Sequence, residues 1–234
     1  MMKKYLRNVL RGIGWEIQPY QTYRGRPFPD RPWEDDREFL GIYHRVLQHT
    51  LLDRRRLYML FQLGRFAATL PGDFAECGVY RGGSALLLSA LKPADRVLYL
   101  FDSFEGMPDT DATRDHHRPG DFSETSIEHV RQLLSASSGV NFRKGFFPAT
   151  TSGLEAVTFS VVHIDFDIYR SMLDACEFFY PRLVRGGCIL FDDYGSPSCP
   201  GAKQAVREFC SANHTREIYL PTGQALLYNF ESRL

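Results

Sequence analysis

The chain has 234 residues, 44% of them hydrophobic, 24% charged and 14% aromatic; that is enough apolar material for a sizeable core and excludes disordered and fibrous classes. Twenty-eight basic and 28 acidic residues leave no formal net charge, so bulk electrostatics give no reason to expect a nucleic-acid partner. No apolar run approaches the roughly 18 residues of a membrane span. The N-terminal MMKKYLRNVLRGIG lacks the apolar stretch and cleavage site of a secretory signal, so a soluble cytoplasmic protein is expected.

The charge balance hides an asymmetry: residues 1–72 hold 13 Lys and Arg against 7 Asp and Glu, whereas residues 73–234 hold 15 against 21. Two modules are therefore expected, a basic helical arm over 1–71 and an α/β domain over 72–234. Leu6, Val9, Leu10 and Ile13 fall at helical spacing among Lys3, Lys4, Arg7 and Arg11. Such a helix suits either peripheral contact with an anionic membrane or packing on a neighbouring subunit. Residues 18–34 contain four prolines and read as a linker. Helices are expected over 35–49 and 54–70, the second with Leu57, Leu60, Phe61 and Ala68 on one face and Pro71-Gly72 as its stop.

From Gly72 onward, strands alternate with helices. DFAEC (73–77) and VLYLFD (97–102) read as strands, with a helix over about 82–91 between them. The polar stretch 103–122 has little periodicity, and a loop that long in a compact domain is usually functional. A helix over 123–136, a strand near 140–146 and the β-branched strand TFSVVHIDFD (158–167) follow. Ser171 is placed to cap the next helix, Gly186-Gly187 to end it, and CILFDDY (188–194) to form the following strand. A helix over 201–212 and strands near 215–220 and 224–230 finish the chain. The pattern predicts a mostly parallel, doubly covered sheet with one antiparallel edge.

Three constellations have chemical potential. In ECGVYRGGS (76–84), Gly78, Gly82 and Gly83 permit a tight strand-to-helix turn. The spacing is not that of a phosphate loop, and Glu76 would repel an anion. Asp102 ends the next strand, where nucleotide-binding α/β folds hydrogen-bond a ribose; together the two favour an adenosine-bearing cofactor. Asp165, Asp192 and Asp193 end two later strands, at the ligand crevice of an open sheet. Three converging carboxylates call for a hard cation such as Mg2+ or Ca2+, the bland alternative being separate solvated helix caps. His116-His117 lack a metal-binding helical spacing and read as solvated lid residues, His163 as a core histidine, and Arg54-Arg55-Arg56 as a helix start that faces solvent or an anionic partner. Cys77, Cys176, Cys188, Cys199 and Cys210 show no CxxC spacing, so a reducing compartment is expected and a structural zinc site is not.

In this order, DFAECGVYRGGSALLLSA, LFDSFEGMP, HIDFDIYRSMLDACEFFYPRLVRGGCILFDDYG and GAKQAVREF resemble the macrocin O-methyltransferase family over about residues 36–230. Members are S-adenosylmethionine- and metal-dependent enzymes that methylate sugar hydroxyls of natural products. The resemblance implies the class I methyltransferase fold, a Rossmann-like, seven-stranded and mostly parallel sheet with an antiparallel last strand. It places Glu76 and Gly78 along the methionine part of the cofactor, with Tyr80, Gly82, Gly83 and Ser84 in the same binding turn. Asp102 falls at the ribose with Ser103 beside it. Asp165, Asp192 and Asp193 fall on the positions that bind Mg2+ or another divalent ion; separately, on chemical grounds, Asp165 is the carboxylate expected to act as general base. Residues 103–122 become a lid, and the segment before Gly72 part of the sugar-acceptor pocket and of a homo-oligomer contact. Two other readings stay open: a phenolic or catechol-like acceptor, although Ile168 stands where catechol enzymes carry a lysine, and a non-catalytic cofactor-binding protein.

Overall fold

The computed structural model describes residues 31–230 and the backbone of two short strands, Thr22–Tyr23 and Arg26–Pro27, which pair antiparallel. The expected helix over 1–13, with its membrane or subunit contact, lies outside the described residues. The chain divides into two compact units, Met1–Asp36 and Arg37–Leu234. The division falls at 36/37 rather than at 71/72; the first of the two helices after it packs on helical neighbours and the second reaches the sheet, so both belong to the second unit. These are α1 (Arg37–Val46) and α2 (Arg54–Ala67). Asp53 starts α2 by accepting hydrogen bonds from the backbone N–H groups of Arg55 and Arg56, at 2.8 and 3.1 Å. Leu57, Leu60 and Phe61 are buried as their spacing predicts; the alanine on that face is Ala67, since Ala68 caps the helix end.

The remaining elements are β1 (Asp73–Cys77), α3 (Gly83–Leu91), β2 (Leu98–Asp102), α4 (Ile127–Leu133), β3 (Val140–Lys144), β4 (Phe159–Ile164), α5 (Tyr169–Phe179), β5 (Leu183–Phe191), α6 (Pro200–Ala212), β6 (Ile218–Tyr219) and β7 (Ala225–Tyr228). They build one sheet in the order β3-β2-β1-β4-β5-β7-β6. Every pairing from β3 to β5 is parallel, and β7 inserts antiparallel between β5 and β6. All six residues of β4 are buried, as expected for a central strand covered on both faces. On one face Phe179 meets Phe101 and Phe159 edge to face, with centroids 5.6 and 5.0 Å apart, and Tyr99 packs against Phe159 at 5.8 Å. Each fully buried phenylalanine contributes on the order of 2–3 kcal/mol. Among the described residues, no helix is long and apolar enough to cross a membrane.

Three local expectations change. Ser171 does not cap α5; the cap position is Ile168, and the first N–H group, that of Tyr169, donates instead to Asp115 of the lid at 2.8 Å. Gly186-Gly187 do not end a helix either. They lie inside β5, where Gly186 adopts φ +81° and the pairing with β4 shifts register; the helix ends at Phe179 and a 3-10 turn, Tyr180–Arg182, feeds the strand. The lid runs to Ser126, whose hydroxyl accepts from His129 N–H at 3.3 Å and starts α4.

Candidate active site

Strand order reverses between β1 and β4, and open α/β sheets bind ligands in the crevice beyond such a reversal. A cavity of about 290 Å3 opens there, walled by the turn after β1, the ends of β2 and β4, the lid, and Leu51, Leu52 and Arg56 at the start of α2.

The turn after β1 is held by close backbone approach. Gly78 sits at φ +81°, and a Cβ there would overlap the Asp165 carbonyl oxygen; glycine therefore lets the ends of β1 and β4 touch. Gly83 has the same role against His49, whose carbonyl would lie 2.7 Å from an added Cβ. Tyr80 takes a left-handed conformation, φ +49°. Asp102 fixes this turn: its Oδ2 accepts from Val79 N–H at 2.7 Å and Tyr80 N–H at 2.9 Å, and its Oδ1 accepts from Phe104 N–H at 2.7 Å. Three of its roughly four acceptor positions are thereby used, so Asp102 braces this turn and keeps one acceptor position for another donor. For the S-adenosylmethionine that the sequence resemblance implies, Asp102→Ala is expected to weaken binding roughly tenfold to a hundredfold, on the order of 1–3 kcal/mol. Calorimetry on the folded variant checks this, and an unchanged Kd would remove the bracing role. Ser103 donates to the Gly106 carbonyl at 2.6 Å and turns the chain into the lid.

Of the residues expected to bind cofactor, Gly78, Tyr80, Ser84, Asp102 and Ser103 line the cavity, while Gly82 and Gly83 shape the turn behind it. Glu76 does not face the cavity. It is fully buried, and its Oε1 is 2.9 Å from Nδ1 of His163, its cross-strand partner on β4. The other ring nitrogen of His163 lies 3.7 Å from Asp192 Oδ1, an ion-pair distance. Burial alone would favour neutral imidazole, but the two carboxylates outweigh it and raise the His163 pKa to about 9.

The acids beyond β4 and β5 separate into two groups. Carboxylate oxygens of Asp165, Asp167 and Asp193 lie within 4.8 Å of one another. Burial and mutual repulsion push the pKa of all three above the usual carboxylate range. Asp192 points the other way. Its Oδ1 accepts from the Gln224 amide at 2.8 Å, and its Oδ2 pairs with Arg56. Burial would raise its pKa, but His163, Arg56 and Gln224 together hold it low. The cluster facing the cavity thus contains Asp167 in the place expected for Asp192. Asp193 Oδ2 is buried without a hydrogen-bond partner. An all-oxygen donor set with one orphaned buried carboxylate oxygen fits a hard divalent cation. Asp167 lies two residues after Asp165 in HIDFD, so it was within reach of a reading that counted every acid at the strand end. Arg56, expected at a helix start facing solvent or an anionic partner, instead pairs with Asp192 of its own chain, a contact that no local spacing records.

The segment expected as a lid walls one side of the cavity and is held by contacts of its own. Met107 and Gly120–Asp121 exchange backbone hydrogen bonds at its neck, 2.9 and 3.0 Å long. Asp115 is buried, and Arg114 stacks on the Tyr169 ring at 4.0 Å. His116 is exposed as expected, but His117 is not a solvated residue: its side chain is 18% exposed and reaches Asp121, Asp167 and Cys199.

A seven-stranded sheet whose last strand alone runs antiparallel, with a glycine turn and a strand-end acid sharing one crevice, is the architecture of class I S-adenosylmethionine-dependent methyltransferases. Comparison with known proteins narrows the class. The family model described as Macrocin-O-methyltransferase (TylF) matches residues 20–220. The chain is 32% identical over 229 residues to the 8-demethyl-8-(2,3-dimethoxy-alpha-L-rhamnosyl)-tetracenomycin-C 4'-O-methyltransferase of Streptomyces olivaceus, covering 89% of this chain and 82% of that one. It is 32% identical over 178 residues to the demethyldecarbamoylnovobiocin O-methyltransferase of Streptomyces niveus, covering 69% and 67%. Among solved structures, the O-methyltransferase NovP superposes with a TM-score of 0.71 at 28% identity, over 78% of this chain and 83% of that one. The chain belongs to the macrocin O-methyltransferase family, and it is an S-adenosylmethionine-dependent O-methyltransferase.

Proposed function

We propose that this enzyme methylates a hydroxyl of a sugar carried by a natural product, with the help of a divalent cation such as Mg2+. One observation carries the reading: the carboxylates of Asp165, Asp167 and Asp193, one with an orphaned oxygen, face the same cavity as the cofactor turn. The names of the relatives, which include a rhamnosyl 4'-O-methyltransferase, support the choice of a sugar.

S-adenosylmethionine supplies an electrophilic methyl group, and a bound divalent ion would lower the pKa of a hydroxyl beside it. Asp165 and Asp193 would hold the ion; Asp192 joins them only when Arg56 gives up its Oδ2. Asp167 accepts the hydroxyl proton in this reading, in place of the Asp165 expected from the sequence. It is held at φ +59°, with Oδ1 fixed from behind by the Cys199 thiol at 3.2 Å, which leaves the carboxylate aimed at the cavity. Val79, Tyr80 and Asp102 orient the cofactor. Met107, Pro108, Phe122 and Phe147 wall the cavity with apolar surface and exclude water, and much of the rate comes from holding donor and acceptor in line.

The test is transfer of labelled methyl to deoxysugar glycosides, with and without Mg2+, followed by fragmentation of the product. A sugar fragment one methylene heavier, lost in EDTA and restored by Mg2+, is the expected result. Methylation of catechols but of no glycoside would overturn the sugar, and full activity in EDTA would overturn the ion.

A further inference from the structure

We propose that His117, Asp167 and Cys199 form a second metal site, selective for a thiophilic divalent ion of the Zn2+ class, that fastens the lid over the cavity. The three come from different segments: His117 from the lid, Asp167 from the end of β4, and Cys199 from the cap position of α6. His117 Nε2 is 3.7 Å from Cys199 Sγ, Cys199 Sγ is 3.2 Å from Asp167 Oδ1, and His117 Nε2 is 3.9 Å from Asp167 Oδ1. A tetrahedral Zn2+ ion with ordinary bonds to sulfur, nitrogen and oxygen spaces its ligands roughly 3.3–3.6 Å apart. The triangle therefore needs shifts of only about half an ångström to close on an ion.

A separate feature points the same way. The far nitrogen of the His117 ring, Nδ1, is 3.2 Å from Asp121 Oδ2, and that oxygen is itself fixed by Arg118 N–H at 2.9 Å. A carboxylate behind the ring is the usual support of a metal-bound histidine, since it sets the tautomer and aims the other nitrogen. Here the aimed nitrogen faces Cys199 and Asp167. Both the His117 and Asp167 side chains are just under one-fifth exposed, which leaves a route for an ion and a water as fourth ligand.

The donor set separates this site from the neighbouring carboxylates. Oxygen alone selects Mg2+ or Ca2+, whereas imidazole, thiolate and one carboxylate select Zn2+, Co2+ or Cd2+. The two sites share Asp167. An ion bound between His117 and Cys199 would hold the lid down and draw charge from the Asp167 carboxylate that the proposed reaction uses as proton acceptor; this consequence alone rests on the proposed function. The site itself stands on its geometry.

Co2+ titration of the full chain, with Mg2+ in excess to fill the oxygen centre, tests it. The expected result is one equivalent of Co2+ giving a thiolate-to-metal band in the near ultraviolet and the strong visible bands of a tetrahedral ion. C199S should lose the thiolate band, and H117A should bind at least tenfold more weakly. Among the described residues, Cys199 is the cysteine that groups with His117 and Asp167, so a band that survives in C199S would overturn the proposal, as would Co2+ binding without any thiolate band or no binding at all. The spectrum needs neither acceptor nor turnover, so its failure leaves the methyl-transfer reading untouched, and a failed transfer assay leaves this site standing.

Discussion

Asp193→Asn and Asp165→Asn are each expected to lower methyl transfer about a thousandfold or more, the scale of several kcal/mol lost from charge stabilisation. Without metal, both variants should nevertheless be harder to unfold than the parent. Asp165 is buried and faces the charges of Asp193, Asp192 and Asp167, which raises its pKa well above that of an unfolded aspartate. An acid with a raised native pKa favours the folded state only while protonated, so its charge destabilises the metal-free protein at neutral pH. The amide keeps the shape and removes the charge. Cofactor binding should persist, because the turn from Gly78 to Ser84 is braced by Asp102 rather than by the acid cluster. Turnover, cofactor affinity and thermal unfolding in EDTA, measured on one preparation, check the set. A variant that loses activity only by unfolding, or that keeps full activity, would remove the acids from the mechanism.

The second large effect is on stability. His163→Ala is expected to destabilise the fold by about 3–5 kcal/mol near pH 6, the usual result of leaving buried charges without their partner. Glu76 and His163 are both fully buried and directly paired across β1 and β4 through Glu76 Oε1, and Glu76 Oε2 has no hydrogen-bond partner. The pH dependence has a definite sign. With its pKa raised from 6.5 to about 9 in the folded protein, the imidazolium contributes fully below pH 6.5. That contribution is lost as pH rises through about 9, an effect of order 3 kcal/mol. Urea unfolding at pH 6, 7.5 and 9 should show the gap between parent and His163→Ala closing with pH. A constant gap, or none at pH 6, would mean that the buried charges are compensated elsewhere.

These two cases show where the primary structure was readable. The strands of the sheet were legible because their chemistry is local: β4 reads as a buried strand from FSVVHI alone, and glycines mark the turn after β1. Element ends were less so. Ser171 has the chemistry of a cap, yet the chain reaches its helix two residues earlier and borrows Asp115, 54 residues away, for the first N–H group. Gly186-Gly187 resemble a helix stop but serve a bulge in β5, because a register shift against β4 must be absorbed there.

The site divides along the same line. That strand-end acids gather beyond the sheet follows from the alternation of strands and helices, which sends every parallel strand toward one edge. Which carboxylates face one another does not follow, because orientation depends on partners from distant segments. Asp192 turns toward Gln224, His163 and Arg56, and Asp167 takes the cavity-facing place. Glu76, read as a cofactor ligand, is drawn inward by a histidine 87 residues away. His117 and Cys199 share no spacing that any local pattern records, and only the seated lid brings them together with Asp167. Periodicity and turn chemistry act over a few residues and so are written along the chain; electrostatic pairing acts through space and is settled only when the sheet, the lid and α2 have packed.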